Sequence, residues 1–220
     1  MTDKLVLRPR WVEVGDPEGV RLLVLGYDPG VTTGWAALRL HLPALLDGGF
    51  SQLALASGGG RDPELLAWDT GVFRGGDGAV ADQMLGLVRG MWEEGEFGMG
   101  PDSDVMGIAQ EGFILRMMSS DEDLLSPVRI NAIFDYVCRG VPVPRRKQQP
   151  SDAKRVVTDQ RLRAMNLWRS GMVTHEVDAL RHAVLLARAL AEPAFLARWC
   201  AACTWLRDPA PTVSSSSLSS

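Results

Sequence analysis

A run of apolar residues, Leu22 to Tyr27, ends on a single carboxylate, Asp28, and Pro29-Gly30 turns the chain at once. A second strand-like run, Gly34 to Leu40, follows. The first run reads as a buried strand. An acid at its end is costly, because an isolated charge at the edge of an apolar layer needs a compensating cation. A metal ion is the obvious candidate. A turn-initiating Asp ahead of Pro-Gly is the structural alternative. Whether partners for Asp28 recur elsewhere decides between the two.

The 220-residue chain is 46% hydrophobic and 23% charged, enough for one domain with additions and a proper core. No apolar run approaches the roughly 18 residues that span a membrane. The first ten residues lack the apolar core of a signal peptide, and three cysteines argue against a disulfide framework. A cytoplasmic location is therefore expected.

The net charge of -4 hides an asymmetry. From Arg139 to Arg169 nine basic residues face only Asp152 and Asp159, so this segment carries 9 − 2 = +7 and the remainder −11. Most charge runs are solvated faces. One this lopsided in an acidic protein suggests a polyanion partner.

The pattern predicts strands at 22–27, 34–40, 65–73 and 104–110, the last ending on Glu111. Residues 1–20 read as an irregular lead-in and 41–63 as a loop or insertion. Helices are expected at 77–92, from Ser126-Pro127 to Arg139, at 150–166 and at 174–191, with a shorter one in 193–207. Val141-Pro142-Val143 reads as a last extended segment, and the serine-rich tail as disordered. Domain boundaries are thus expected at 1–20, 21–192 and 193–220. Three strands before the first helix, then alternation, predict a mixed α/β sheet with helices on its faces.

Further acids occupy comparable places. Glu111 ends a strand, while His175 and Asp178 stand three apart at the start of a helix and share one face. Glu176 falls on another face. An acid in a first helical turn also complements the helix dipole, which is the plain reading of Asp178. A lone His near a helix start is usually a surface or capping residue. Taken together, Asp28, Glu111, His175 and Asp178 form an oxygen-rich set suited to Mg²⁺ or Mn²⁺. Two such ions about 4 Å apart can activate a water and stabilise the leaving oxygen of a phosphodiester, with Asp28 bridging them.

Gly26-Tyr27-Asp28-Pro29-Gly30, continuing through Thr33-Gly34-Trp35-Ala36, resembles the opening motif of RuvC-type Holliday-junction resolvases, which have the ribonuclease H-like fold. Glu111 in Ile108-Ala109-Gln110-Glu111-Gly112-Phe113 is similar to that family's second acid. Pro150-Ser151-Asp152-Ala153-Lys154 is similar to its Pro-Ser/Thr-x-x-Lys segment, and His175 to Leu180 to its closing motif. The likeness spans roughly residues 21 to 190, and Val157-Thr158-Asp159-Gln160-Arg161-Leu162-Arg163 brings it nearest the RuvC-like resolvases of bacteriophages. The 41–63 insertion, the long Asp28–Glu111 spacing and the C-terminal extension depart from a minimal resolvase, and His175 leaves the metal site one charge weaker than an acid would.

The resemblance implies a five-stranded ribonuclease H-like sheet with helices on both faces, and a Mg²⁺-dependent endonuclease of branched DNA such as the four-way junction. It implies a homodimer with no membrane partner. Asp28, Glu111 and Asp178 would hold the metals, with His175 a fourth ligand or a general base. Lys154 would stabilise phosphate charge. Arg145, Arg146, Lys147, Arg155 and Arg161 would hold the DNA arms, with Arg116 a further phosphate contact. Two other readings stand beside this one. Asp28-Pro29-Gly30-Val31-Thr32-Thr33 passes for the phosphate loop of an actin/sugar-kinase-like ATP-binding protein, although no second phosphate motif exists. A non-catalytic DNA-binding module is the other. Cys200-Ala-Ala-Cys203 reads as packing, because no second cysteine pair accompanies it. Of the seven tryptophans, only Trp92 and Trp168 stand close enough to charges to suggest base stacking.

Overall fold

A computed structural model describes residues 6–10, 12–13, 19–42, 65–95, 104–112, 122–137 and 143–202. The elements are β1 (Val12–Glu13), β2 (Arg21–Asp28), β3 (Thr32–His41), β4 (Leu65–Arg74), α1 (Asp77–Glu94), β5 (Val105–Glu111), α2 (Glu122–Val137), β6 (Arg145–Gln148), α3 (Pro150–Val156), α4 (Asp159–Ala164), α5 (Thr174–Leu190) and α6 (Pro193–Ala202). Most of the 41–63 insertion, Arg116, Cys138, Cys203 and the serine tail lie outside the described residues.

The strands lie side by side in the order β1-β4-β3-β2-β5-β6. β2, β3 and β4 form an antiparallel meander, and β5 and β6 extend it in parallel beyond β2. Apart from the two-residue β1, this is the strand order 3-2-1-4-5 of the ribonuclease H-like fold. Central strands buried on both faces read as unbroken apolar runs, which is why β2 and β5 were legible. Even-numbered residues of β2 (Leu22, Val24) pack with α5 and α6. Odd-numbered ones (Leu23, Leu25, Tyr27) pack with α1 and α2. Each face of the sheet thus has its own apolar core, covered by helices. Among the described residues no helix is long and apolar enough to cross a membrane.

Several expectations are corrected. Part of the lead-in is built into the fold: Val12 and Glu13 pair with Trp68 and Ala67, and Leu7 N–H donates to Gly86 O at 3.0 Å. Among the described residues the last strand is Arg145–Gln148; of the expected 141–143 segment only Val143 is described, and it lies outside the strand. The strand lies at the sheet edge, where charged side chains discourage further pairing and hide the apolar signal of a strand. Helix α2 begins at Glu122 and carries Pro127 inside it. Ser126 does not cap it; its hydroxyl donates to Asp77 Oδ1 at 3.1 Å, tying α2 to the start of α1. The 150–166 region is two helices, α3 and α4, separated where Thr158 caps α4 by accepting from Arg161 N–H.

Helix α5 owes its seat to two glycines. A Cβ on Gly26 would stand 2.1 Å from Ala179 O, and one on Gly34 would stand 2.0 Å from His175 O. Both obstacles are backbone atoms that no rotamer change can clear. Gly26→Ala and Gly34→Ala are each expected to destabilise the fold by about 1–3 kcal/mol or more. Denaturant unfolding measures this, and an unchanged midpoint would refute the close approach.

Candidate active site

Register brings the first two acids together. Tyr27 of β2 pairs with Gln110 of β5 in parallel, so Asp28 and Glu111 occupy the next places on neighbouring strands. Side chains alternate along a strand, so both carboxylates emerge on the face that α5 covers. The turn after Asp28 is fixed by Thr33, whose hydroxyl donates to Gly30 O at 2.9 Å and accepts from Gly30 N–H at 3.2 Å. Asp28 is 7% exposed. Burial, then the negative charge of Glu111, push its carboxyl up from the ordinary 3.8 to about 7, against the hydrogen bond and charge of His175.

His175 reaches the pair from the first turn of α5, with Nδ1 2.7 Å from Asp28 Oδ2. The start of α5 is itself anchored. Glu176 accepts from Val173 N–H at 2.9 Å and from the Thr70 hydroxyl at 3.0 Å, and Arg169 reaches Glu176, Thr70 and Asp69. Arg169 therefore braces α5 against β4. Asp178, one turn along, is 6% exposed and neutralised by bases. Lys154 Nζ stands 3.0 Å from its Oδ2, and Arg181 pairs with both Asp178 and Asp159.

The donor chemistry fits a hard divalent cation. Two carboxylates stand on one face, one of them raised by burial and by the charge of the other, and oxygen ligands suit Mg²⁺ or Mn²⁺. Among the described residues no group of three or more His, Cys, Asp or Glu side chains is gathered into a ready cage. Asp178 lies with Lys154 and Arg181 instead.

The basic run does not form one surface. On β6 alternation sends Arg145 and Lys147 to the face of α2, where both pair with Asp135 at 3.2 and 2.6 Å. Arg146 turns to the other face, over the Phe195 ring at 4.9 Å. Arg155 is exposed and pairs with Asp152 at 3.1 Å, and Arg161 donates to Val156 O. Arg163 lies 4.2 Å over the half-buried Trp168 ring, while Trp92 packs against the α1–α2 core. Cys200 is half-buried, and burial pushes its thiol up.

No family model and no curated protein matches the chain. Among solved structures it is similar to T. thermophilus RuvC in complex with a Holliday junction substrate, at 15% identity and a TM-score of 0.45, covering 80% of this chain and 95% of that one. It is also similar to another Thermus thermophilus RuvC structure, at 16% identity and a TM-score of 0.42, with the same coverage.

Sequence reasoning missed His182, Gln148 and Arg181. His182 Nε2 lies 3.2 Å from Glu111 Oε2 and Nδ1 lies 2.9 Å from Gln148 Oε1. Its signal was available, since it follows Asp178 by four residues and shares that helix face. Gln148 had none, because only the register Glu111↔Gln148 places it.

The raised Asp28 pKa means that the folded state holds this proton more tightly than the unfolded chain. The associated stability is fully present below pH 3.8 and is lost as pH rises through about 7. Asp28→Asn should remove that loss, making the metal-free protein more stable near neutrality by about 1–3 kcal/mol. Chemical denaturation in EDTA across this window measures it, and a pH dependence identical to the wild type would refute it.

Proposed function

We propose that this chain is a Mg²⁺-dependent endonuclease that hydrolyses phosphodiesters in branched DNA, in the manner of the resolvases its motifs resemble. The observation that carries the reading is the pair Asp28 and Glu111, adjacent strand ends on one face with His175 on Asp28. Asp28, Glu111 and His175 would hold the first cation, and Asp178 would complete a two-metal set. Bound there, the ions would polarise the scissile phosphate and acidify the attacking water. Mn²⁺ would substitute.

The chain's own residues do the rest. Lys154, about half exposed at 53%, stands at the rim on α3 and can meet a phosphate oxygen. Arg155 and Arg161 continue the exposed basic face along α3 and α4. Phosphate contacts of this kind position a duplex without reading its sequence. Arg145, Arg146 and Lys147 at the sheet edge, and Arg116, would serve the outer arms. A homodimer would place two sites on a four-way junction, and the stretch 157–163 inclines the reading toward the phage-encoded resolvases.

One observation favours a second reading. Asp178 is held by two bases, as in a DNA-binding module whose acids are structural. Cleavage decides. A synthetic four-way junction should be cut in Mg²⁺, uncut in EDTA, and preferred to a matched linear duplex. Asp28→Asn should lower the rate more than about 100-fold, beyond the usual cost of losing a residue behind a metal ligand, while junction binding in EDTA persists. Full cleavage by Asp28→Asn would overturn the assignment, and equal cutting of both substrates would leave a nuclease without the junction preference.

A further inference from the structure

Helix α5 carries a buried histidine that the proposed chemistry does not itself employ. His182 is 1% exposed, and both of its ring nitrogens are engaged. Nδ1 lies 2.9 Å from Gln148 Oε1 and Nε2 lies 3.2 Å from Glu111 Oε2. Two contacts on opposite sides of the ring fix its plane, so His182 spans the ends of β5 and β6 as a strut.

Glu111 is held from elsewhere as well. Its carbonyl accepts from Asn131 Nδ2 at 2.9 Å, and Asn131 is in turn held by Gln110 Nε2 at 2.6 Å. The next residue, Gly112, donates its N–H to Gln148 O at 2.7 Å. Backbone and carboxylate of Glu111 are therefore fixed independently, the first by α2 and β6, the second by α5. Gln148 is 5% exposed, and its Nε2 has no hydrogen-bond partner. Turned so that this nitrogen donates to Nδ1, the Gln148 amide fixes the tautomer in which His182 Nε2–H donates to Glu111 Oε2.

We propose that His182, braced by Gln148, is a positioning residue for Glu111, holding one carboxylate oxygen so that the other faces a divalent cation beside Asp28. The inference rests on the nuclease reading above. A free glutamate in a shallow strand-end site samples several rotamers. A cation that needs near-ideal ligand geometry loses affinity to that freedom. Groups that orient ligands from behind are typically worth about 10–100-fold in metal affinity.

The test is direct titration of Mn²⁺ into the full chain by calorimetry, with junction binding in EDTA and the melting temperature as controls. His182→Leu should weaken Mn²⁺ binding about 10–100-fold while junction binding in EDTA is unchanged. His182→Gln, whose amide nitrogen can take the place of Nε2, should recover most of the affinity. Gln148→Leu leaves the imidazole but frees its ring, and should weaken binding several-fold; it carries the test should His182→Leu fail to fold. Wild-type affinity in His182→Leu, or in Gln148→Leu where the former is unfolded, overturns the proposal alone if Glu111→Gln still loses the metal. Unchanged binding in Glu111→Gln overturns this proposal and the nuclease reading together.

Discussion

Helix α5 lies with its own backbone against the backbones of β2 and β3, and both contacts exist because residues 26 and 34 lack a Cβ. Everything at the candidate site follows from that seat. Were the helix an ångström or two farther from the sheet, His175 would not reach Asp28, nor His182 Glu111. The same helix is pinned at its start by Glu176, Arg169 and Thr70, and along its length by an apolar face packed on β2 and β3. The three glycines of the opening motif thus act differently. Gly30 belongs to the turn after Asp28, whereas Gly34, and Gly26 before the acid, let the helix in.

That seat explains how a protein tolerates an acid at the end of a buried strand. Among the described residues no lysine or arginine pairs with Asp28; His175 contacts it with potential positive charge, and Glu111 opposes it. The cost appears as a carboxyl that resists ionisation until near neutrality. Structural acids elsewhere in the same fold are treated differently. Asp104 receives both the backbone N–H and the guanidinium of Arg21, and Asp69 receives Arg10 N–H and Arg169. Asp104 and Asp69 are thus paired with arginine, while Asp28 and Glu111 meet histidines and each other.

Legibility in the sequence followed the physics of each element. β2, β3 and β5 are central and buried on both faces, so unbroken apolar runs marked them to within a residue or two, and the acids at their ends stood out. The edge strand β6 was misplaced because its residues, Arg145 to Gln148, have the composition of a surface loop. β1 is two residues long and held by pairing with β4, which no local pattern announces. The basic run pointed to a polyanion partner, but sequence counts charge without direction. Strand alternation then divides it, sending Arg145 and Lys147 to Asp135 and Arg146 to Phe195. His182 was passed over because a lone histidine within an apolar helix is ordinarily core. Its role depends on a distant register that sets Gln148 opposite Glu111.

The two halves of the acidic set are differently placed. Around Asp28 and Glu111, burial and the mutual repulsion of two carboxylates raise the Asp28 carboxyl, and a cation would relieve both. Around Asp178 the charges balance, Lys154 and Arg181 facing Asp178 and Asp159. The two bases are not equivalent. Arg181 is nearly buried, shared with Asp159, and also donates to Val157 O at 3.1 Å, so withdrawing it would release the α3–α4 connection from α5. Lys154 is half exposed and holds Asp178 through one contact; such exposed pairs contribute about 1 kcal/mol or less. On the proposed function, Lys154 is therefore the base that a phosphate would recruit at small cost, leaving Asp178 with Arg181 as its remaining partner. On the proposed nuclease reading, a cation would enter where two carboxylates face each other, and a phosphate where the exposed base is the more weakly held of two.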